Sequence, residues 1–423
     1  MTNYADLIIS LCLFIFIIII NFIIIKKKSI TYKSKLYQKT SNLVKFLYLI
    51  TFLLFVISLI INLTINGNNP STKATITYIV NSLSIAILCL PVSLQNLYRI
   101  NFKDEEKFSH IKTIVTNIID KKYLKKFTKA GINLIILSKE NTDIKINTIN
   151  EEEINKKALT KNILIKTDNP KIIEKYINKE DTLYEFNNLN IPYEKIKKAR
   201  GVHDNYIRTI KYLMITYLPL ILSYFCLSLL GFPTIYNLLL VILLKIFTML
   251  TSNFLYRHLP YDKDIMERKV KDKNILFGKQ ELFLTIIISF FIFFAITLPY
   301  MSSLSQGGSI QLANTLFILV FIYSNLFLTF STLSDSPLII NIIKSYKNIR
   351  LIIFLIICIL LIVIFNFTTY FNTRNIYLHN NISCILFGLI SIIIIEITKL
   401  ARFTSLKGKK KNESKNNKKY KRS

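Results

Sequence analysis

Acidic side chains are scarce in this chain. Asp and Glu number 25 against 55 Lys and Arg, leaving a formal net charge of +30 in 423 residues. No acid stands in the middle third of any long apolar run. A dehydrated hard cation is held by oxygen ligands, carboxylates above all, so a carboxylate-lined divalent site inside a bilayer is not expected. Cysteine motifs are missing too. Cys12, Cys89, Cys226, Cys358 and Cys384 all fall inside apolar runs, with no C-x-x-C spacing. They read as small buried hydrophobes, not as disulfides or metal ligands. The four histidines, His110, His203, His258 and His379, lack ligand spacing and are expected on surfaces or in loops. Gly307-Gly308 precedes no Lys-Ser, so it reads as a turn and not as a phosphate loop. The residues before the first apolar run carry no positive charge, and no small-residue cleavage site follows it. That run is therefore expected to be a retained helix, not a secretory signal.

Long apolar runs, in contrast, are abundant. The chain is 52% hydrophobic with a mean hydropathy of +0.41, and several runs reach the roughly 18 residues needed to cross a bilayer. The positive charge lies between these runs, as the positive-inside rule requires, which argues against nucleic acid as a partner. Spans are expected at 8–25, 45–64, 75–97, two within 205–258, 281–300, 312–333, 351–370 and 382–400. Residues 26–45 hold seven Lys, 257–279 hold seven Lys or Arg, and 399–423 hold eleven. These segments are assigned inside, with the N-terminus outside and the C-terminus cytoplasmic. The excess of Ile, Lys and Asn suits an AT-rich bacterial genome, hence a bacterial plasma membrane. The basic tail reads as a topogenic segment or a contact for anionic lipid.

Residues 100–204 form the one substantial soluble segment. Residues 105–130, 171–178 and 193–200 read helical, while 132–137 and 163–166 read as short buried strands. This alternation predicts a small α/β layer.

The stretch 201–270 is the most specific part of the sequence. Two apolar runs meet at Gly231-Phe232-Pro233, and the second leaves through the polar elbow 259–268. Asn205, Arg208, Ile210, Tyr212, Leu213, Gly231, Pro233, Pro260, Asp264, Ile265, Met266 and Arg268 fit, without a gap, the N-x-x-K-x-I-x-Y-L, G-[LF]-P and P-P-x-x-D-I-M-x-R of the fifth and sixth membrane helices of cation-transporting P-type ATPases. The stretch resembles that hairpin. Residues 123–132 resemble the L-x-x-A-G-I of the family's phosphorylation domain, and 329–335 and 396–402 resemble its eighth- and tenth-helix ends. Yet the segment between the third and fourth expected spans contains no D-K-T-G-T acceptor and no G-D-G-x-N-D magnesium loop. Only a basic linker, 26–45, stands where an actuator domain with T-G-E would lie.

The resemblance also locates the ion site. The family's P-E-G-L falls on Pro91, Val92, Ser93 and Leu94. Its fifth-helix N-x-x-E falls on Tyr217 and Leu220, and its sixth-helix N-x-x-T-D on Lys245, Thr248 and Met249. Asn325 falls where some members carry a glutamate on the eighth helix. Lys245 is an ionisable group near a bilayer midplane, and such groups face a bundle interior. It reads either as a built-in cation filling the ion site, with Tyr217, Ser93, Asn325 and Thr248 as partners, or as a side chain that snorkels or is held neutral in a degenerate bundle. Pro219, in mid-span, is expected to kink its helix.

The expected fold is mainly α: a polytopic membrane bundle of about nine transmembrane helices with a small cytoplasmic α/β insertion. Its parts are 1–99 (three helices), 100–204 (a reduced phosphorylation-domain-like unit), 205–402 (six helices) and 403–423 (basic tail). The expected function is a catalytically inactive, P-type-ATPase-like membrane protein that scaffolds or regulates a membrane partner. The alternative is a cation-transport subunit working with catalytic domains in another chain, or without ATP. No cofactor is expected. The expected partners are the lipid bilayer and another membrane protein or catalytic subunit.

Overall fold

The computed structural model describes residues 108–116, 121–137, 148–149, 163–165, 182–183, 188–233, 238–255, 259, 261, 264–268, 279–333, 338–345, 348–367, 373–390 and 392–400, with scattered positions before residue 84. The expected spans at 8–25, 45–64 and 75–97 and the helix at 171–178 therefore lie outside the described residues, apart from those positions.

The expected helix over 105–130 is not formed as one piece. Thr113–Thr116 is strand β1, and the helix α1 begins only at Lys121–Lys129. The reason is local: Thr-Ile-Val-Thr is four β-branched residues in a row, stiff at χ1 and suited to a pleat. Gly131, at φ 67, ends α1, with Gly131 N bonding Thr128 O at 3.0 Å and Ile132 N bonding Phe127 O at 2.9 Å. This left-handed cap turns the chain directly into β2, Asn133–Leu137. Strands β3 (Thr148–Ile149), β4 (Ile163–Ile165) and β5 (Thr182–Leu183) complete a five-stranded sheet of order β3-β2-β1-β4-β5. Every pairing is parallel. Ile114, Phe127, Ala130, Ile132 and Leu134 form its core with Ile196 and Ala199.

Those last two residues belong to α2, Asn190–Leu229, a single 40-residue helix. The sequence reading separated a soluble helix at 193–200 from the first span. The structure fuses them into one rod of about 60 Å, whose first turns cover the sheet and whose remainder enters the bundle. The rod continues through Pro219, which is buried; the helix is not interrupted there. Gly231, at φ 73, then turns the chain, with Phe232 N bonding Leu227 O at 2.9 Å. Helix α3, Leu238–Leu250, follows and passes into a π-helical turn at Thr251–Leu255.

Helices α4 (Lys279–Ser305), α5 (Ile310–Thr332), α6 (Leu338–Ser345), α7 (Ile349–Phe367) and α8 (Leu378–Ile390) come next, followed by α9, Ile393–Leu400. Among the described residues, four helices are long and apolar enough to span a membrane, or five if α8 and α9, bent by 43°, are one span. That is fewer than the six expected after residue 205. With α8 and α9 taken as one span, the shortfall is α3, whose α-helical part is 13 residues before the π turn. The π turn adds a residue per turn and shortens the rise.

Helix α5 is the hub, with 78% of its apolar window buried, whereas α7, at 28%, is left to face lipid. Gly388 lets α8 approach α5: a Cβ there would meet Tyr323 Cβ at 2.7 Å and Ser324 N at 3.2 Å. Small residues serve this purpose between membrane helices. Gly388→Leu is expected to cost about 1–3 kcal/mol through overpacking, read as a lower unfolding midpoint in detergent. An unchanged midpoint would contradict the tight contact.

Candidate ion site and its junction with the sheet

Tyr217 on α2 meets Lys245 and Thr248 on α3. Lys245 is only 5% exposed, and its Nζ lies 4.9 Å from the centroid of the Tyr217 ring. Residues three apart on a helix share a face, which puts Thr248 beside Lys245. Thr248 Oγ1 donates to the Lys245 carbonyl at 3.0 Å and lies 2.8 Å from Tyr217 Oη. A threonine hydroxyl has one proton, so the tyrosine is the donor in the second bond. The result is a directed chain, Tyr217 to Thr248 to the Lys245 carbonyl, with the ammonium over the ring. Leu220 is fully buried and Met249 half-buried; neither offers oxygen. Pro91, Val92 and Ser93 lie outside the described residues.

Asn325, from α5, is 1% exposed and engaged by other groups. Its Oδ1 accepts from Tyr212 Oη at 3.1 Å and faces Thr216 Oγ1 at 3.3 Å. Its Nδ2 donates to the Phe321 carbonyl at 2.8 Å. No cluster of three or more His, Cys, Asp or Glu suited to a metal exists among the described residues. The Lys245 ammonium lies over the Tyr217 ring, and the Asn325 amide belongs to a separate hydrogen-bonded group with Tyr212 and Thr216.

The elbow after α3 explains most of the motif residues. Asn205 Nδ2 holds the Leu259 carbonyl at 2.8 Å. The Tyr261 ring lies where a Cβ on Gly201 would stand, so a residue with no side chain is required there. Arg268 grips Asp264 with two bonds, at 2.9 and 2.8 Å, and reaches Asp204 at 3.4 Å. Ile265 and Met266 join the hydrophobic core of the sheet unit. Arg200, on α2, donates to the carbonyls of Ala130 at 3.1 Å, Arg268 at 3.3 Å and Ile265 at 3.5 Å. One guanidinium thus ties the A-G-I segment, the elbow and α2 together.

Residues 233–401 match the family model described as cation transporting ATPase, C-terminus. They form a cation-transporting P-type ATPase C-terminal membrane domain. No curated protein matches the chain. The match runs from the hairpin turn through α9, and membrane helices of this kind place the chain in a lipid bilayer.

Within this transport domain the structure adds a cluster that sequence reasoning missed. The α5 end and the tail of α9 looked family-like separately; they meet. Ser331 Oγ donates to Glu396 Oε1 at 2.6 Å, and Lys399 Nζ binds Glu396 Oε1 at 2.9 Å and the Ser331 carbonyl. Glu396 Oε2 accepts from the Leu338 amide at 2.9 Å, capping the start of α6 where a negative charge is favoured. The signal available was Glu and Lys at i,i+3 near the end of an otherwise apolar span.

The histidine expectation also needs correction. His110 and His203 are buried, at 3% and 6% exposure, and contact edge-on with centroids 4.9 Å apart. The parallel sheet and α2 fold over both, which no ligand-spacing rule would reveal. Of the cysteines, Cys358 and Cys384 are buried as expected, Cys226 is intermediate and Cys12 exposed, all as free thiols.

Proposed function

We propose that this chain is a catalytically inactive relative of the cation pumps that scaffolds or regulates a membrane partner. The observation that carries the reading is Lys245: a cation built into the chain sits where a transported cation would need ligands. Repulsion by a buried ammonium opposes entry of a second cation, and Tyr217, Leu220, Thr248, Met249 and Asn325 carry no carboxylate.

The sheet unit supports the same reading. In an open parallel sheet, chemistry gathers beyond the carboxyl ends of the strands, where the order reverses; here that is between β1 and β4. β1 ends at Thr116 and β4 at Ile165. An acyl phosphate forms only on a carboxylate, and the next aspartates along the chain are Asp120 and Asp168. Phosphoryl transfer needs an acceptor, a metal site and phosphate positioning, and no sequence motif supplies any of the three.

The test is acid-stable phosphate trapping from labelled ATP on the purified full chain. No hydroxylamine-sensitive label is expected. A label formed by this chain alone, and lost in Asp120→Asn or Asp168→Asn, would overturn the reading. The alternative, a transport subunit driven by catalytic domains in another chain, draws on the preserved junction. Arg200, Ile265 and Met266 couple the sheet unit to the hairpin, as a driven bundle would require. The nine-span topology with an outside N-terminus and an inside C-terminus belongs to this proposal, as does the division into four parts. So do the bacterial plasma membrane and the ion-site roles of Pro91, Val92 and Ser93.

A further inference from the structure

A cavity of about 200 Å³ lies between α2, α4, α5 and α9, away from the Lys245 cluster. Its polar lining gathers at one end. Glu281 stands at the start of α4, Thr332 at the end of α5 and Lys399 near the end of α9, with Arg208 and Lys211 on the matching level of α2. Below them the wall is apolar: Ile215, Ile288, Leu328 and Ile395. Arg208, Lys211 and Lys399 face Glu281 in the wall, and with Glu396 bonded to Lys399 behind it the balance is three cations to two carboxylates, which favours an anion. Glu281 is held by Lys211, whose Nζ lies 3.1 Å from Glu281 Oε2. Lys399 is held in place by Ser331 and Glu396. The hydroxyls of Thr285, Thr332 and Thr398 line the same mouth. Thr285 and Thr332 donate to their own helix carbonyls, which leaves their oxygen lone pairs as acceptors for the glycerol hydroxyls or water of a bound group.

We propose that this cavity is a binding site for a phosphate ester anion, supplied by the headgroup of an anionic phospholipid. A cationic mouth over an apolar throat matches a phosphate over an acyl chain. Basic pockets between membrane helices near the surface are suited to such headgroups. Arg208 and Lys211 hold the phosphate, and Ile215, Ile288 and Leu328 take the chain. The site is independent of whether the bundle transports anything.

The experiment uses the full chain in a neutral maltoside detergent, with lipid retention read by native mass spectrometry. The probes are dioleoyl phosphatidylglycerol, dioleoyl phosphatidylcholine and inorganic phosphate. Phosphatidylglycerol is expected to be retained in preference to phosphatidylcholine. The Arg208→Gln/Lys211→Gln double variant is expected to weaken its binding by about twenty-five-fold, a factor of roughly five for each cation near a phosphate. Arg208→Lys/Lys211→Arg is expected to restore it. Ile288→Phe, which fills the throat and leaves every charge, should reject lipid without affecting inorganic phosphate, and it serves if the double variant does not fold. Displacement of phosphatidylglycerol by millimolar inorganic phosphate, with Ile288→Phe indifferent to lipid, would assign the same anion site to a soluble phosphate. Equal retention of the two lipids, or a preference that survives removal of both cations, would overturn the proposal.

Discussion

Replacing Tyr217 by Leu is expected to destabilise the bundle by about 3 kcal/mol. Roughly 2 of these are the attraction of a desolvated ammonium to a ring face, and about 1 is the Tyr217–Thr248 hydrogen bond. Tyr217→Phe keeps the ring and should lose only the second part. Lys245→Met should cost about 2 kcal/mol, because it removes the cation from the face of the Tyr217 ring. The double variant Tyr217→Leu/Lys245→Met is expected to cost little more than Tyr217→Leu alone. The shortfall from additivity, about 2 kcal/mol, measures the coupling of the pair. The measurement is the unfolding midpoint in one detergent for all four chains.

A competing account makes a different forecast. If Lys245 is merely tolerated, it carries the insertion cost of about 2.5–3.5 kcal/mol for a lysine at a helix centre. Methionine would then relieve that cost and raise the midpoint. The sign of the Lys245→Met effect therefore decides between a built-in cation and a snorkelling side chain. The first is the reading we propose, and it draws on Nζ lying over an aromatic face on the neighbouring helix at 5% residue exposure. A snorkelling group reaches toward water.

The membrane helices were well legible from hydropathy. The expected spans at 281–300 and 312–333 fall inside or within a residue of Lys279–Ser305 and Ile310–Thr332, because some twenty apolar residues are a signal that no soluble element imitates. The short α3 was not legible: a π turn at Thr251–Leu255 leaves hydropathy unchanged while altering geometry. In the sheet unit, β2 and β4 showed as compact apolar runs. β1 was hidden because its two threonines and flanking lysine fit the polar face of a helix equally well. β3 and β5 are two residues each, too short for any period. Lys245 and Tyr217 could be singled out because a charge in an apolar run is rare and the motif spacing put both in one site. The Ser331–Glu396–Lys399 cluster and the buried His110–His203 pair depend on contacts across 65 or more residues, which periodicity does not encode.

Arg200 is the clearest residue of that kind, and its removal should have the second large effect. Its acceptors are three backbone carbonyls, 65 to 70 residues away along the chain, so no side-chain pattern announces them. Bonds from a charged donor contribute about 1.5–3 kcal/mol each. Loss of the two shorter ones, with carbonyls left buried, sets the cost of Arg200→Met at about 3 kcal/mol or more. Lysine cannot replace it, because a single ammonium on a flexible stem does not present the guanidinium fork needed to reach Ala130 on one side and the elbow on the other. The damage should be local. The strands β1 and β2 and the elbow are expected to exchange amide hydrogens faster, while α5, buried in the bundle, keeps its protection. Unchanged exchange in β1 and β2, or full protection in Arg200→Lys, would show that the sheet unit is held by its apolar core alone. With the expected result, the junction is a polar clamp laid over apolar contacts from Ile265 and Met266. Such a clamp transmits displacement between the sheet and α2 without slip, since a guanidinium bonded to both sides resists sliding that apolar packing alone would permit.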